Sequence, residues 1–391
     1  MPLRVVWKNL WRHPVRSFLT AGSLAVAVFL LATLHAFIGA LDASVEGSRD
    51  DRIIVQSAVS LFVPLPNTYR PRIEAVDGVE ETCRWHWFGG YYQDPSNFFG
   101  QFACDQDTLL EVYPEIEVVE GSHENFLATR TSCLIGIGLS TRFGFQVGDT
   151  VPIISNIYQL DGDPSKAWEF EVAGIYDTQS PTIDKQTLYF HFDYLEEGLD
   201  SGAATGPRGT STYTLNLSPD ADPVGVMSAI DSQFAGGPLK TQSVPQAAFN
   251  KQFVSMWGNV PTFVSAIGLA VFGAVLLACV NTMLIAARQQ THDVGIMKAL
   301  GFSDGAMCAT LFAQSVVLSV VGGGIGMLAA GSWPMLLAGS PMEVFFPHVG
   351  LRAETLSIAI GATLLVGVLA GLFPALRALK LSPVAALRSE D

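Results

Sequence analysis

Residues 17–41, SFLTAGSLAVAVFLLATLHAFIGAL, form a run of 25 residues without a formally charged side chain. A helix that crosses the hydrocarbon core of a membrane needs about 20 apolar residues. Three more charge-free runs of 36, 38 and 22 residues follow at 252–287, 305–342 and 355–376. The four runs predict four membrane spans, placed near Phe18–Ala40, Thr262–Ala287, Ala306–Ser332 and Thr355–Phe373.

The overall composition is also that of a membrane protein. The chain has 391 residues, of which 49% are hydrophobic and 15% are charged, and its mean hydropathy is +0.34. Soluble globular domains carry about 25% charged residues, and disordered chains are less apolar than this one. A wholly soluble fold and a disordered chain are therefore excluded. The net charge of −14 argues against nucleic acid as a partner.

The basic residues before the first run raise the question of a cleaved signal peptide. Arg4, Lys8, Arg12 and Arg16 could form its positive region. The apolar run is longer than the roughly 7–15 residues of a signal-peptide core, so we predict a retained anchor helix. Residues 1–14, MPLRVVWKNLWRHP, place apolar side chains on one helical face. This pattern predicts an amphipathic helix along the membrane surface.

The distribution of Lys and Arg predicts the orientation. Outside residues 42–255 the chain has ten basic residues, and nine of them lie in the N-terminal segment, the loop between spans two and three, or the C-terminal tail. Cytoplasmic loops of membrane proteins are enriched in Lys and Arg. We therefore expect a multi-pass membrane protein with both termini in the cytoplasm and residues 42–255 outside.

The segment between spans one and two is long enough for a core of its own. Residues 42–255 hold 30 acidic and 12 basic residues, a net charge of −18. The pattern of the segment is α+β, and its length predicts two lobes. The expected elements are strands at 52–63, 131–137 and 168–173, a hairpin turning at Gly148-Asp149, helices at 71–79 and 222–234, and a flexible insertion at 198–209.

Three of the five cysteines, Cys83, Cys104 and Cys133, fall in this segment. They allow at most one intramolecular disulfide, for which Cys83–Cys104 is a candidate. The alternative is three buried thiols. No Cys-x-x-Cys pair or zinc-type spacing occurs, and the seven histidines are scattered. No metal or cofactor site is therefore expected in this chain.

A hydrolase motif is matched at the start of the third charge-free run. Gly301-Phe302-Ser303-Asp304-Gly305 fits the pattern Gly-x-Ser-x-Gly. That motif requires a strand before the serine, whereas residues 294–300 have a helical pattern that Gly301 would end. We expect a turn at a helix end and no catalytic residue. The chain has no Gly-x-x-x-x-Gly-Lys-Ser/Thr motif and is not expected to be an ATPase.

Two features inside the spans predict helix packing. Gly322 and Gly326 form a Gly-x-x-x-Gly pair in span three, which allows a neighbouring helix to approach closely. Asn281 is a polar residue in span two, and we expect it to hydrogen-bond between helices rather than to contact a substrate.

The loop between spans two and three has a helical pattern. Residues 288–301, RQQTHDVGIMKALG, mix apolar and charged side chains at helical spacing. One interpretation is an ordinary solvated loop. The other, which we favour, is a short helix along the membrane that is available to a cytoplasmic partner.

Several segments together resemble a known family, the MacB/FtsX-type ABC transporter permeases, which include the LolC/LolE lipoprotein-release subunits. The cytoplasmic motifs are the specific ones, and the segments at 143–150 and 170–175 are similar to the family's periplasmic core. The cytoplasmic motifs are WKNLWRHPVRSFLT at 7–20, DVGIMKALG at 293–301, GLFPALRA at 371–378 and LSPVAALR at 381–388. Asp293 stands where Glu is common in the family, and the charge is kept.

The resemblance implies a permease without a fused ATPase, paired with a second copy or a paralogue and with separate ABC ATPase subunits that bind ATP and Mg. It also implies a location in the bacterial cytoplasmic (inner) membrane, in contact with lipid and, outside, with a partner protein. Residues 288–301 would form the coupling helix that the ATPase pushes. The implied coupling residues are Arg288, Asp293, Gly295, Ile296, Met297, Lys298, Ala299, Leu300 and Gly301.

The expected layout is a membrane protein with four transmembrane α-helices and a large α+β extracytoplasmic domain between helices 1 and 2. Its segments are an amphipathic helix at 1–16, spans at 17–41, 256–287, 305–333 and 355–376, the outer domain at 42–255, the coupling helix at 288–304, an outer loop at 334–354 and a cytoplasmic tail at 377–391.

The predicted function is that of a permease subunit that couples ATP hydrolysis in a partner to movement of its outer domain. Export, lipoprotein release and mechanotransmission remain open as the purpose of that movement. An alternative is a membrane-anchored sensor or scaffold that acts without nucleotide-driven work.

Overall fold

The computed structural model describes residues 11–12, 14–49, 51–256, 260–289, 296, 302–337 and 349–379. The chain divides into two compact units. The helical unit comprises residues 1–39, 259–336 and 349–391, and the sheet unit comprises residues 40–258 and 337–348. Each unit has hydrophobic clusters of its own.

Long helices form the helical unit, and short helices lie against the sheet. The described helices are α1 (Pro14–Glu46), α2 (Arg70–Glu74), α3 (Leu109–Val112), α4 (His123–Ala128), α5 (Ile137–Phe143), α6 (Phe192–Asp200), α7 (Pro223–Phe234), α8 (Gln246–Met256), α9 (Val260–Gln289), α10 (Asp304–Ala330), α11 (Trp333–Leu337) and α12 (Ala353–Leu379).

Four stretches of the described residues are helical, long and apolar enough to cross a membrane. They are Pro14–Ala40, Ser265–Ala286, Asp304–Leu337 and Ala353–Leu372. The prediction of four spanning helices, with a large mixed α/β domain between the first and the second, is confirmed. The third stretch covers α10 and α11, and Pro334 lies in the first turn of α11, where proline is tolerated.

The sheet unit is built around one mixed sheet of eleven strands. The strands are β1 (Arg52–Ser57), β2 (Val79–Trp87), β3 (Gly90–Tyr92), β4 (Gly100–Cys104), β5 (Glu117–Gly121), β6 (Ser132–Gly136), β7 (Thr150–Ser155), β8 (Gln159–Leu160), β9 (Trp168–Asp177), β10 (Thr187–His191), β11 (Ala204–Thr205), β12 (Thr212–Leu217) and β13 (Thr241–Pro245). The order is β13-β1-β12-β2-β4-β10-β6-β9-β7-β3, β5 pairs with β9, and β8 and β11 form a separate pair.

The sheet has two halves that share strand β2. In the first half, α2 and α7 cover β1, β12 and β13 around a core that includes Ile53, Tyr213 and Phe234. In the second half, β4, β6, β9 and β10 carry one cluster on each face, because their inward and outward residues alternate between the two clusters. The start of β2 pairs with β12 and its end pairs with β4, so a single strand passes from one half to the other.

Several predicted elements have the right type and the wrong extent. The strand predicted at 52–63 ends at Ser57, where its pairing with β13 ends, and Val59 and Phe62 beyond it are 71% and 77% exposed. The helix predicted at 71–79 is only α2, because Val79 already begins β2. The helix predicted at 222–234, by contrast, also has the expected extent: it is α7, and its N-cap Asp222 accepts hydrogen bonds from the first turn.

Two predictions about loops were wrong. Gly148 forms the expected turn with a φ of +94°, but no hairpin results, because β7 pairs with β9 and β3 instead of with the residues before the turn. The insertion at 198–209 is not a flexible loop throughout, since it contains the end of α6 and strand β11, which pairs with β8. Both differences depend on neighbours distant in sequence.

The three cysteines of the sheet unit are thiols, and the candidate disulfide Cys83–Cys104 is not formed. Cys83, Cys104 and Cys133 are free and buried. Burial raises the pKa of the Cys83 thiol to about 12 and also raises the pKa values of Cys104 and Cys133. These thiols stay protonated and behave as small apolar residues.

Candidate functional site

The coupling segment predicted from the sequence lies largely outside the described residues. Of its nine residues, only Arg288 and Ile296 are described; Asp293, Gly295, Met297, Lys298, Ala299, Leu300 and Gly301 are not. Arg288 is exposed in the last turn of α9, and Ile296 is helical and 40% exposed. The Arg16 guanidinium donates a hydrogen bond of 2.9 Å to the side chain of Gln289, so the start of the segment lies beside the start of α1.

The serine of the hydrolase-like motif has a structural role. Ser303 is the N-cap of α10, and its hydroxyl oxygen accepts a hydrogen bond from the backbone N–H of Ala306 at 3.4 Å. Residues 302 and 303 are not part of a strand. The described residues of the motif, 302–305, therefore form a helix start.

Helix α10 contacts α1 through the predicted glycine pair. A Cβ atom added at Gly322 would lie 2.5 Å from the carbonyl oxygen of Ala21, and one added at Gly326 would come closer still to the carbonyl oxygen of Ala25. Because these neighbours are backbone atoms, only glycine allows the observed approach of the two helices.

On another face, α10 packs against α12 through small residues. A Cβ atom at Gly371 would lie 3.0 Å from Ser315, and Ser319 and Thr363 likewise occupy the space beside Gly367 and Gly323. The described residues show more contact between α10 and α12 than between any other pair of elements. Helices α1, α10 and α12 therefore form one closely packed group.

The other end of α1 is held by aromatic and polar contacts. The indole N–H of Trp333 donates a hydrogen bond of 2.8 Å to the Thr33 hydroxyl, and the ring stacks on Phe29 and meets Phe37 edge-on. The Arg352 guanidinium donates a hydrogen bond of 3.1 Å to the carbonyl oxygen of Gly39. No sequence pattern indicated these contacts, because their partners lie about 300 residues apart in the chain.

Helix α9 is the least buried of the four spanning helices. It joins the others through Cys279 and Met283, which pack with Leu24, Leu318 and Val366. Its opposite face is exposed and has alanine at every fourth position. The exposed alanines are Ala266, Ala270, Ala274 and Ala278.

Among the described residues, the predicted polar contact of Asn281 is not made. Asn281 lies on the exposed face of α9 and has no hydrogen-bond partner among the described residues. An amide exposed to hydrocarbon has no water to bind, so its hydrogen-bonding capacity remains available to a neighbour.

The aromatic residues of the sheet unit belong mainly to its core. Trp85 packs against Phe102, Tyr113 and Tyr189 at centroid distances of 5.0, 4.9 and 5.2 Å. The Phe99 side chain is fully buried. Among the described residues, no group of three or more His, Cys, Asp and Glu side chains could hold a metal ion.

His86 is buried in the same unit and makes stability depend on pH. It hydrogen-bonds the Tyr158 hydroxyl and lies 3.2 Å from the Ser211 hydroxyl. Desolvation by burial lowers the pKa of His86 from 6.5 to about 4.

We expect acid to destabilise the sheet unit through His86. Between pH 6.5 and about 4 the unfolded chain binds a proton that the folded chain does not. The contribution of His86 to the free energy of unfolding is therefore complete above pH 6.5, and it falls by up to about 3 kcal/mol as the pH falls to 4. Thermal unfolding of His86→Gln, which does not titrate, should show a smaller drop than the native chain over this range. Equal drops would contradict the prediction.

Comparisons with known proteins agree with this architecture. A family model described as the MacB-like periplasmic core domain matches residues 17–233, and one described as the FtsX-like permease C-terminal matches residues 263–383. The chain is 24% identical to an uncharacterised ABC transporter permease of Methanocaldococcus jannaschii, over 98% of this chain and 96% of that protein.

Other relatives match over shorter ranges. The macrolide export ATP-binding/permease protein MacB of Rhodopirellula baltica is 32% identical over 34% of this chain and 19% of its own length. Among solved structures, the periplasmic region of MacB from Actinobacillus actinomycetemcomitans aligns with a TM-score of 0.38 and 9% identity, over 54% of this chain and 95% of that one.

The first family model alone covers more than half of the chain, and the second continues over the last three spans. The chain therefore belongs to the MacB/FtsX-type ABC transporter permeases, with a MacB-like periplasmic core domain followed by an FtsX-like permease region.

Proposed function

We propose that this permease converts ATP hydrolysis on a separate ATPase subunit into movement of its sheet unit. The observation that carries the proposal is the close packing of α1, α10 and α12, in which the backbones of α1 and α10 touch at Gly322 and Gly326. A force applied to α10 should then move α1, because at these two positions no side chain lies between the backbones to deform.

The ATPase would contact the permease at the segment between α9 and α10. It has 14 residues, 290–303, enough for a helix of about three turns. It carries the motif shared with the family's coupling helix, and ATP and Mg would be bound by the partner. The hydrogen bond between Arg16 and Gln289 joins the start of this segment to α1 as well.

The part of the protein that this movement would reach is the sheet unit. Helix α1 continues to Glu46 and α8 precedes α9, so the two spanning helices enter and leave this unit directly. We assign residues 42–255 to the outside and both termini to the cytoplasm, in accord with the basic residues of the N-terminal, 288–304 and C-terminal segments. The work would then be done outside the membrane, on a substrate or an extracytoplasmic partner protein.

A second permease copy, or a paralogue, is part of the proposal. The exposed face of α9 presents small residues at a spacing of four and ends in Asn281. Small residues let two helices approach in lipid, and an amide can both donate and accept across a two-fold axis. The second copy would thus give Asn281 a partner, which it lacks among the described residues.

The test is co-purification with a candidate ATPase. We expect the native chain to hold the ATPase in a complex of two permeases and two ATPases, and a variant with Asp293, Met297 and Lys298 replaced by alanine to lose it. The mass of the complex in detergent measures the outcome. The matched control replaces Asp163, Ser165 and Lys166, an exposed loop of the sheet unit that loses the same two charges; it should retain the ATPase.

Either of two results would contradict the proposal. If the triple variant keeps the ATPase as well as the control does, the segment is not the coupling helix. If the native chain binds no ATPase, the anchored sensor or scaffold becomes the better interpretation.

A further inference from the structure

In the sheet unit, the chain that leaves α1 and the helix that leads into α9 are joined by hydrogen bonds. The Asn250 amide donates to the Ser48 hydroxyl at 3.0 Å, and the backbone N–H of Arg49 donates to the side-chain oxygen of Gln246 at 3.1 Å. The Gln56 amide donates to Gln252 at 2.9 Å. Segment 48–56 and helix α8 are therefore held as a single element, which we name the clamp.

Arg52 lies inside the clamp and reaches beyond it. Its side chain is fully buried. One terminal nitrogen lies 3.4 Å from the Gln246 side-chain oxygen, and the other donates to Glu115 at 2.9 Å and to the carbonyl oxygen of Val112 at 2.6 Å. The guanidinium also lies 4.3 Å above the ring of Tyr113.

The residues on the far side of Arg52 belong to the second half of the sheet unit. Val112, Tyr113 and Ile116 pack in a cluster with Leu134 and other residues of that half. Arg52 itself begins β1, in the first half. Among the described residues, Arg52 is the side chain that hydrogen-bonds both α8 and this segment.

Other connections between the halves do not include the clamp. Strand β2 passes from one half to the other, and the Asn216 amide donates to the carbonyl oxygen of Glu111 at 3.1 Å. The Tyr113 hydroxyl donates to Thr214 at 3.1 Å, and the pairs Asn67–Glu196 and Arg70–Asp105 also join the halves, at 2.6 and 3.0 Å. None of these side chains hydrogen-bonds α8 among the described residues. A buried ion pair seldom stabilises a fold more than apolar side chains of the same volume do, and its best-attested use is to specify one arrangement.

We propose that Arg52 is a positioning residue that makes the second half of the sheet unit follow the clamp, so that movement of α1 and α9 reaches both halves together. The inference rests on the proposed function for its purpose. The physical coupling that it asserts can be tested without nucleotide or ATPase.

The first experiment is hydrogen exchange of the full chain in lipid nanodiscs, with Glu115→Gln as the variant. Among the described residues, Glu115 makes no hydrogen bond to α8, and Arg52 bonds both Glu115 and Gln246. We expect the hydrogen-exchange rate to rise about tenfold both near residue 115 and at 246–252. The substitution weakens a hydrogen bond to a charged group, and residues 246–252 are linked to that bond through Arg52. A rise confined to residues near 115 would overturn the proposal.

A matched control separates coupling from a general loss of stability. Lys185 and Asp177 form an ion pair of 2.6 Å in the second half, with no bond to the clamp. Lys185→Met should leave exchange at 246–252 unchanged. A rise equal to that of Glu115→Gln would show that any weakening of the second half reaches α8, and the assignment to Arg52 would fail.

The double variant Arg52→Met/Glu115→Met tests for a role beyond stability. It removes both charges, so the unfolding temperature should lie close to that of the native chain. We expect exchange at 246–252 to stay raised even so. If exchange there returns to the native level together with the unfolding temperature, the pair is only structural.

Spin labels on the complex with its ATPase then test the purpose. The labels are placed at the exposed positions Lys251 and Val119. In the native chain we expect the distance between the two labels to be the same in both nucleotide states. In the double variant we expect this distance to change with nucleotide. The proposal is overturned if nucleotide changes the distance between the Lys251 labels of the two copies while the distance from Lys251 to Val119 in the double variant stays unchanged. If nucleotide moves nothing in the native complex, the proposed function fails, while the exchange result still decides the coupling.

Discussion

Replacing Gly326 by valine is expected to prevent α10 from packing against α1 and to disrupt the helical unit. A Cβ atom at this position would overlap the carbonyl oxygen of Ala25 and lie 2.9 Å from the backbone nitrogen of Phe29. Extra side-chain atoms in a close-packed interior cost about 1–3 kcal/mol when side chains can adjust. The atoms in the way here are backbone, so the loss should exceed that range, and the α1 helix would have to move away as a whole.

Gly324 provides the matched control for this prediction. It lies two residues away in the same glycine run, and a Cβ atom there would meet nothing within 4 Å. Gly324→Val should therefore melt close to the native temperature in detergent, whereas Gly326→Val should aggregate or melt far lower. Similar melting of the two variants would show that α1 and α10 are not in backbone contact.

Replacing Asp105 by alanine is expected to destabilise the sheet unit by about 3 kcal/mol, because it leaves Arg84 buried without its main partner. The Asp105 carboxylate accepts from the Arg84 backbone N–H at 2.7 Å and from its guanidinium at 2.6 and 2.8 Å, and it pairs with Arg70 at 3.0 Å. The Arg84 guanidinium lies 3.9 Å above the ring of Phe192, so it cannot turn toward water without losing that contact.

An exposed ion pair in the same unit gives the comparison. Arg130 and Glu197 are bonded, with side chains 62% and 54% exposed. Glu197→Gln should cost less than about 1 kcal/mol, because water solvates both groups when the pair is broken. Thermal unfolding of the full chain, followed by tryptophan fluorescence, measures both variants. A loss at Asp105 no larger than that at Glu197 would contradict the prediction.

The spans and the family were predictable because both depend on local sequence. The hydrocarbon core excludes charge, so a run such as 17–41 can hardly be anything but a spanning helix. The motif at 293–301 and the segments at 7–20 and 371–388 indicated the family, which the family models confirm. Helix α7 was predictable for a similar reason, since Asp222 and Pro223 mark its start in the sequence itself.

The limits of the strands and the pairing of distant residues were not predictable in this way. Residues 58–63, AVSLFV, look like an apolar continuation of β1, yet the pairing with β13 stops at Ser57, and beyond the bond from Ala58 to Lys240 the described residues offer 59–63 no partner strand. Cys83 and Cys104 looked like a possible disulfide, yet both are buried thiols in the core. Whether a residue pairs depends on what the rest of the sheet places beside it.

The sequence by itself determined that this chain is a four-span permease with a large domain between its first two spans, because hydrophobic runs and motifs act over a few turns of chain. Only the tertiary structure decided which glycine of the run 322–326 touches α1 and which faces away, and that Arg52 lies between α8 and Glu115. Such contacts join residues tens to hundreds of positions apart, and no local pattern specifies which distant group fills the space beside a side chain.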